Sequence, residues 1–314
     1  MKNIVKFFLL LLPAILISSC GNDGKEYLLE YKLAEGEIHN QKTVTDMKIN
    51  QSFMGQKMVV STLMSMNTTF EVIEATDDKY TLDVKYTEIK ADMDMGSGMP
   101  KISLDSNTAD EVASPDNLSP IFKAATGVPF TVVINRQGEA VSFDGTDKLI
   151  ESMTAAFDPL IGEDVKARIF KQFEQQFGEE SFKSNFKRSM EYFPSHPVKT
   201  GDSWDISIDI KTQIDMKIDM KYTLKSVTDN VAVITGQGVV TATTDDFTDA
   251  GNGIGTKTTL NGTQTATITV NMNNGMLTKS EFVMNAMGET EVEAGGQNMK
   301  IPQTWEVNIT VTGI

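Results

Sequence analysis

Few residues in this 314-residue chain could carry out reactive chemistry. It has two histidines, His39 and His196, and one thiol, Cys20. His39 falls in an alternating, strand-like stretch, and His196 lies between Ser195 and Pro197 in a loop. A nucleophilic enzyme needs a nucleophile, a base and an orienting group held together, and neither histidine sits in a recognisable nucleophile motif. Carboxylates are plentiful, but most alternate with apolar residues, where they keep one face of a strand wet. Catalysis is therefore not expected. Methionine is abundant, at 18 residues. Met64-Ser65-Met66 and the loop bearing Met93, Met95 and Met99 have the thioether content that selects Cu(I). Met64 and Met66 share a face with Met58 and Val60, so packing explains them; the loop methionines are explained less well. Asp245, Asp246, Asp249 and Asn252 offer oxygen ligands but lack the spacing of a calcium-binding EF-hand loop. Neither a metal nor another cofactor is expected.

What remains is hydrophobic recognition. Methionine is flexible and polarizable and suits adaptable apolar surfaces. Strand faces carrying Met58, Met64, Met66, Met216 and Met220 could line a cavity. Phe170, Phe173, Phe177, Phe182 and Phe186 recur at helical spacing and could cover it. The expected ligand is then hydrophobic or lipid-like. The alternative is that these side chains fill one another's gaps at native density. The protein would then be a structural or interaction module, with partner surfaces in 96–127 and 245–263.

The elements that position these residues are legible from periodicity. In SWDISIDIKTQIDMKIDMKYTL, residues 203–224, even positions are apolar except Thr212 and odd positions are polar. Strict alternation marks a half-buried strand. One strand of that length would reach about 70 Å at roughly 3.3 Å per residue, so a hairpin turn near Lys211–Asp215 is expected. Period-2 patterning also covers most of Tyr27 to Met95, and PFTVVIN followed by EAVSF, around Arg136-Gln137-Gly138, reads as another hairpin. Between 146 and 193 the apolar spacing becomes helical, with Asp158-Pro159 as a start signal and Gly178 as a stop. Strands then resume to the end, with turns at Asp229-Asn230, Asn273-Asn274-Gly275 and Gly295-Gly296. Residues 245–263 read as a Gly-rich loop.

The expected fold is mainly β (α+β): a curved antiparallel sheet or half-barrel of two related β units, with two or three amphipathic helices packed on it. The units span 27–145 and 194–314, with the helical insert at 146–193. Their relation rests on an internal match. An offset of 152 residues lays Met58–Val72 on Ile210–Leu224, and the turn Ala75-Thr76-Asp77-Asp78 on Val227-Thr228-Asp229-Asn230. Further along, INRQGEAVSF at 134–143 matches VNMNNGMLTKSEF at 270–282, with Gly138 on Gly275.

The first residues resemble a bacterial lipoprotein signal. Lys2 and Lys6 precede an apolar run, Phe7 to Ile17, which is too short to span a bilayer and suits a secretory h-region. It ends Leu16-Ile17-Ser18-Ser19-Cys20-Gly21, which resembles a lipobox. That resemblance implies cleavage of 1–19, acylation of Cys20 and a tether at 20–26. Two or more acyl chains hold a protein stably on a membrane. The expected place is the cell envelope, on the outer membrane or cell surface. Without Lys2 and Lys6 the chain has 26 basic and 43 acidic residues, a net charge of −17. Such a surface repels nucleic acid and anionic headgroups, so Cys20 is the expected membrane contact and nucleic acid is not an expected partner.

Pro197-Val198-Lys199-Thr200-Gly201-Asp202-Ser203-Trp204 resembles the PV-x-x-GD-[ST]-W motif of a family of uncharacterised bacterial envelope lipoproteins. Tyr31–Gly36 and the hairpin around Gly138 fit the same layout. The resemblance implies a lipid-anchored, mostly β envelope protein and brings no catalytic residue with it. More distantly, a curved sheet plugged by helices is similar to the lipoprotein-carrier fold. Read physically, Gly201-Asp202 turns the chain into a strand and Trp204 starts its apolar face.

Overall fold

The computed structural model describes residues 24–53, 55–96, 98, 100–108, 118–156, 162, 179–210, 214–244, 247–249 and 254–314. They form one curved antiparallel sheet that does not close. Its strands are β1 Ile38–Phe53, β2 Gln56–Ala75, β3 Lys79–Asp94, β4 Ile102–Asp105, β5 Phe130–Asn135, β6 Ala140–Asp144, β7 Ser203–Ile210, β8 Met216–Thr228, β9 Val231–Thr243, β10 Thr248–Asp249, β11 Ile254–Asn271, β12 Leu277–Ala294 and β13 Gln297–Gly313. The sheet runs β6-β5-β3-β2-β1-β13-β12-β11-β9-β8-β7, with β4 added to β3 and β10 to β11. Three helices are described: α1 Ser119–Ala125, α2 Thr146–Ala155 and α3 Glu179–Met190.

The 203–224 stretch is a hairpin, with Ile210 opposite Met216 and Trp204 opposite Tyr222. Its apolar parity survives the turn, as it must, since a one-residue slip would put every Ile and Met in water. Asp229 and Asn230 close the β8–β9 hairpin with φ of +50° and +62°, the conformation of a type I′ turn that matches strand twist. Two expectations are corrected. Met93 lies in β3, opposite Thr62, and not in a loop. Residues 254–263 are strand, because β11 starts at Ile254 and pairs with β12 along that length. Its threonines suit the pleat, and Leu260 and Thr258 are buried on its inner face. The helix signals at Asp158-Pro159 and Gly178 lie outside the described residues, as do Met99 and the Cys20 segment.

The same pairing pattern occurs twice. Val72 opposes Leu82 and Ala75 opposes Tyr80; Leu224 opposes Ile234 and Val227 opposes Ala232. Both hairpins have a register shift at the same place, between Val72/Glu74 and Leu224/Ser226. The β5–β6 and β11–β12 hairpins shift alike, between Val133/Ile134 and Thr269/Val270. Even the entries match. Gly36 N–H donates to Val72 O at 2.8 Å, and Gly201 N–H to Leu224 O at 2.8 Å. In sheet order, β6-β5-β3-β2-β1 is thus followed by β13 and then by β12-β11-β9-β8-β7.

One end of the sheet is tied shut. The segment 27–33 crosses it: Tyr27 bridges Val198, Tyr31 N–H donates to Arg136 O at 2.7 Å, and Lys32 N–H to Asn274 O at 2.9 Å. Arg136 Nε reaches Asp77 O at 2.5 Å, and its guanidinium lies 3.5 Å from the Glu30 carboxylate. The hairpin turns of β2–β3, β5–β6 and β11–β12 are thereby joined. Within this end Tyr31 OH contacts Tyr192 OH at 3.0 Å and Met190 O at 3.2 Å, and Tyr80 OH donates to Tyr31 O at 3.0 Å. The tips of β1–β2 and β12–β13 lie at the opposite end.

Candidate functional site

The inner face of the sheet is unevenly covered. On β8, β9 and β11 it is closed: Ile218, Leu224, Ala232, Ile234 and Ile268 are fully buried. On β5 and β6 it is covered by α3, whose Phe182, Phe186 and Met190 form an apolar stripe at i, i+4 and i+8. Phe182 meets Phe130 at 5.1 Å between ring centroids, and Phe186 meets Phe143 edge-on at 5.6 Å. The C-terminus of α3 is fixed by Trp204, whose Nε1–H donates to Tyr192 O at 3.0 Å.

The centre of the sheet differs. On β2, β1 and β13 several inward residues, Met58, Val60, Met64, Met66, Met47, Ile49, Trp305 and Ile309, are only half-buried, while Val307 and Val311 of β13 are buried. Met47, Met64, Met66, Trp305 and Ile309 touch the main core at their edges. They form an apolar trough along the middle strands. At its distal end Trp305 packs on a small cluster of Ala242, Leu260 and Ala286, with Ile214 and Met216. The Trp305 indole N–H is itself buried and finds no acceptor among the described residues, and neither does the amide nitrogen of Gln41 on β1. A buried donor without a partner costs about 1–3 kcal/mol.

A second concavity of about 780 Å³ lies at the far ends of these strands. Val59, Asn50, Thr304 and Met287 are neighbours in one row across it, and Pro302, Glu289 and Thr259 in the next. By alternation these positions face away from the core, and Met287 is 68% exposed. Lys300 pairs with Glu289 at 2.5 Å and Glu291 at 2.9 Å on its flank.

The electrostatics are those of a packed apolar body. Burial pushes the Tyr31, Tyr192 and Tyr222 hydroxyls well above their ordinary range, and Tyr86 to about 12. Burial also lowers Arg188 on α3, opposed by its attraction to Tyr222. Among the described residues, no three His, Cys, Asp or Glu side chains gather as a metal site would need. The trough can therefore offer dispersion contacts and one or two hydrogen-bond donors to a bound molecule.

The sequence-derived residues divide into groups. Met64 and Met66 lie in the trough, and Met58 lies where the trough meets the distal concavity. Met216 borders the small cluster, while Met220 is fully buried and accepts from Gln264 Nε2 at 3.7 Å. Phe182 and Phe186 are buried over β5 and β6, whereas Phe170, Phe173 and Phe177 lie outside the described residues. Five strands separate β2 from β8, so the two methionine sets occupy different parts of the inner face. Sequence reasoning missed Met47, Ile49, Trp305 and Ile309. Their alternation was visible, but nothing local said that β13 would join β1 at the sheet's centre.

No curated protein matches the chain. Among solved structures, lipovitellin, described for its lipid–protein interactions, is similar with 8% identity and a TM-score of 0.43. That likeness covers 90% of this chain and 25% of the other, so this chain spans about a quarter of its length. The translocator domain of autotransporter NalP from Neisseria meningitidis gives 5% identity and 0.21, covering 89% of each chain. The COG4313 outer membrane channel from Pseudomonas putida F1 gives 9% and 0.20, covering 89% of this chain and 97% of the channel. These likenesses are too distant to bear on function. Residues 77–277, well over half the chain and running from the β2–β3 turn to the first residue of β12, match the family of unknown function DUF6263, and the chain belongs to that family.

Proposed function

We propose that this protein is a non-catalytic lipoprotein of the bacterial envelope, anchored through acylated Cys20, that holds a hydrophobic, lipid-like molecule in the trough over β2, β1 and β13. The observation that carries the reading is the half-buried row Met47, Met64, Met66 and Trp305 beside inward residues of β8, β9 and β11 that are fully buried, such as Ile218, Ile234 and Ile268. Apolar surface is worth about 25 cal/mol per Å² when removed from water, so a flexible chain laid along this row gains by covering it. Methionines fit a ligand of variable shape. An ester or acyl carbonyl would give the Trp305 N–H the acceptor it lacks. The lipobox-like segment supports the anchor, and the acidic net charge supports a body that stands off anionic headgroups.

The chain's two tryptophans make a direct test. In the mature chain carrying Cys20→Ser and Trp204→Phe, Trp305 is the sole indole. A fatty acid brominated on its acyl chain should quench its emission saturably, and Met66→Glu should weaken that binding by about tenfold or more. Emission unchanged by the probe would instead favour an interaction lipoprotein with a filled interior. For the anchor, radiolabelled palmitate should mark the wild-type chain and leave Cys20→Ser unlabelled; equal labelling of both would remove the lipoprotein reading.

A further inference from the structure

The repeated pairing pattern exposes an asymmetry at the sheet's edge. β1 and β7 are counterparts, since both pair with the second strand of their unit in matching register: Ile38 opposes Glu71 and Ser203 opposes Thr223. The other side of β1 is taken by β13, from Gln41 opposite Gly313 to Gln51 opposite Gln303. The corresponding side of β7 has no strand among the described residues, where β7 ends the sheet. The opposite edge, β6, is only five residues long, and its Ala140 N–H is held by the Glu191 carboxylate.

Antiparallel strands bond alternately to either neighbour, so the free groups of β7 can be assigned. Leu224 N–H donates to Asp202 O, which puts the backbone groups of Trp204, Ile206 and Ile208 toward β8. The N–H and C=O of Asp205, Ser207 and Asp209 then point to the open side. Their counterparts on β1 are Asn40, Lys42 and Val44, and Asn40 O accepts from Ile314 N–H at 2.9 Å beyond the end of β13. On the outer surface the edge presents Asp205, Ser207 and Asp209, all exposed, while Trp204, Ile208 and Ile210 face inward and are buried.

We propose that β7 is a strand-addition site for an extended segment of a partner protein, basic at its outward positions and apolar at its inward ones. Such a strand would take the place beside β7 that β13 takes beside β1. The backbone groups of Asp205, Ser207 and Asp209 supply the ladder, and lysine or arginine opposite Asp205 and Asp209 supplies the choice of partner. A second copy is disfavoured by the same residues. Pairing two β7 edges about Ser207 sets Asp205 against Asp209 on both sides, and like charges directly opposite destabilise a strand pair.

Amide hydrogen exchange on the mature chain carrying Cys20→Ser tests this with a peptide of alternating valine and lysine. The Asp205, Ser207 and Asp209 amides should exchange freely alone and be protected by the peptide. A valine–glutamate peptide should bind about tenfold more weakly or worse. Ser207→Pro removes one outward N–H and the Ser207 Oγ–Asp219 bond while leaving the backbone ladder to β8 intact, and should abolish protection while the chain stays folded. If that variant unfolds, Asp205→Lys with Asp209→Lys serves instead and should invert the preference between the two peptides. The proposal is overturned if these amides are already protected without peptide, if protection appears elsewhere, if the chain dimerises through β7, or if the lysine double variant keeps the original preference.

Discussion

Gly201 and Gly275 both hold positive φ, +96° and +77°, yet their replacement should cost different amounts. A Cβ at Gly201 meets nothing, whereas one at Gly275 meets the backbone of Glu30 and Tyr31, where the 27–33 segment crosses. Gly201→Ala should cost about 1 kcal/mol of conformational strain, and Gly275→Ala about 3 kcal/mol or more once the clash is added; urea denaturation of the two variants should resolve the difference. The buried tyrosines give a second test. Folded Tyr31, Tyr86, Tyr192 and Tyr222 all have pKa values raised by burial from the ordinary 10.0. An acid whose folded pKa is raised adds stability that is whole below its unfolded pKa and lost as pH rises toward the folded one. Stability should therefore fall above about pH 10, and phenolate absorbance should rise together with loss of circular dichroism. Phenolate signal from these residues while the sheet stays intact would contradict their burial. At this scale the sequence was read well where a residue has one local role. Gly201 and Asp202 make their turn, with Lys199 N–H donating to Asp202 Oδ2 at 2.8 Å. It was read poorly for Tyr31 and Trp305, whose roles come from residues far along the chain.

Among the elements, the hairpins were the most legible because their signals are local. Strict alternation gave β7 and β8, Asp229-Asn230 gave a turn, and an offset of 152 aligns both the sequences and the pairings of β2–β3 and β8–β9. The first half of β11 was hidden by composition. Glycines and threonines in GNGIGTKTTLNGT suggest a loop, but pairing with β12 along its length overrides that propensity. Helix α3 was legible from its stripe of Phe182, Phe186 and Met190, but its attachment was not. It depends on Trp204 reaching the carbonyl of Tyr192. Trp204→Phe should keep the ring's packing and lose this bond, at a cost of about 1 kcal/mol. Faster hydrogen exchange confined to 186–193 would be its signature. Uniform loosening of the sheet would mean that Trp204 serves the core at large.

For the whole molecule, the mainly β fold class followed from the count and spacing of strands, since consecutive strands usually pair with one another. The order of its strands did not follow. β13 inserts between β1 and β12, joining the two halves and bringing Trp305 beside Ile49. That step creates the trough, and it is non-local. The ends of the sheet are also unlike. Tyr27, close to the proposed tether, is pinned at the closed end against Val198, while the trough runs toward the opposite hairpin tips, a distance of about 50 Å for strands of this length. If the proposed trough is occupied in the cell by a lipid-like molecule, that molecule should stay with the purified protein. The most direct measurement is native mass spectrometry of the mature chain carrying Cys20→Ser, exported, purified without detergent and followed by extraction of whatever is bound. A stoichiometric apolar adduct, lost in Met66→Glu, is the expected result. A clean apo mass from the unmodified trough would contradict it.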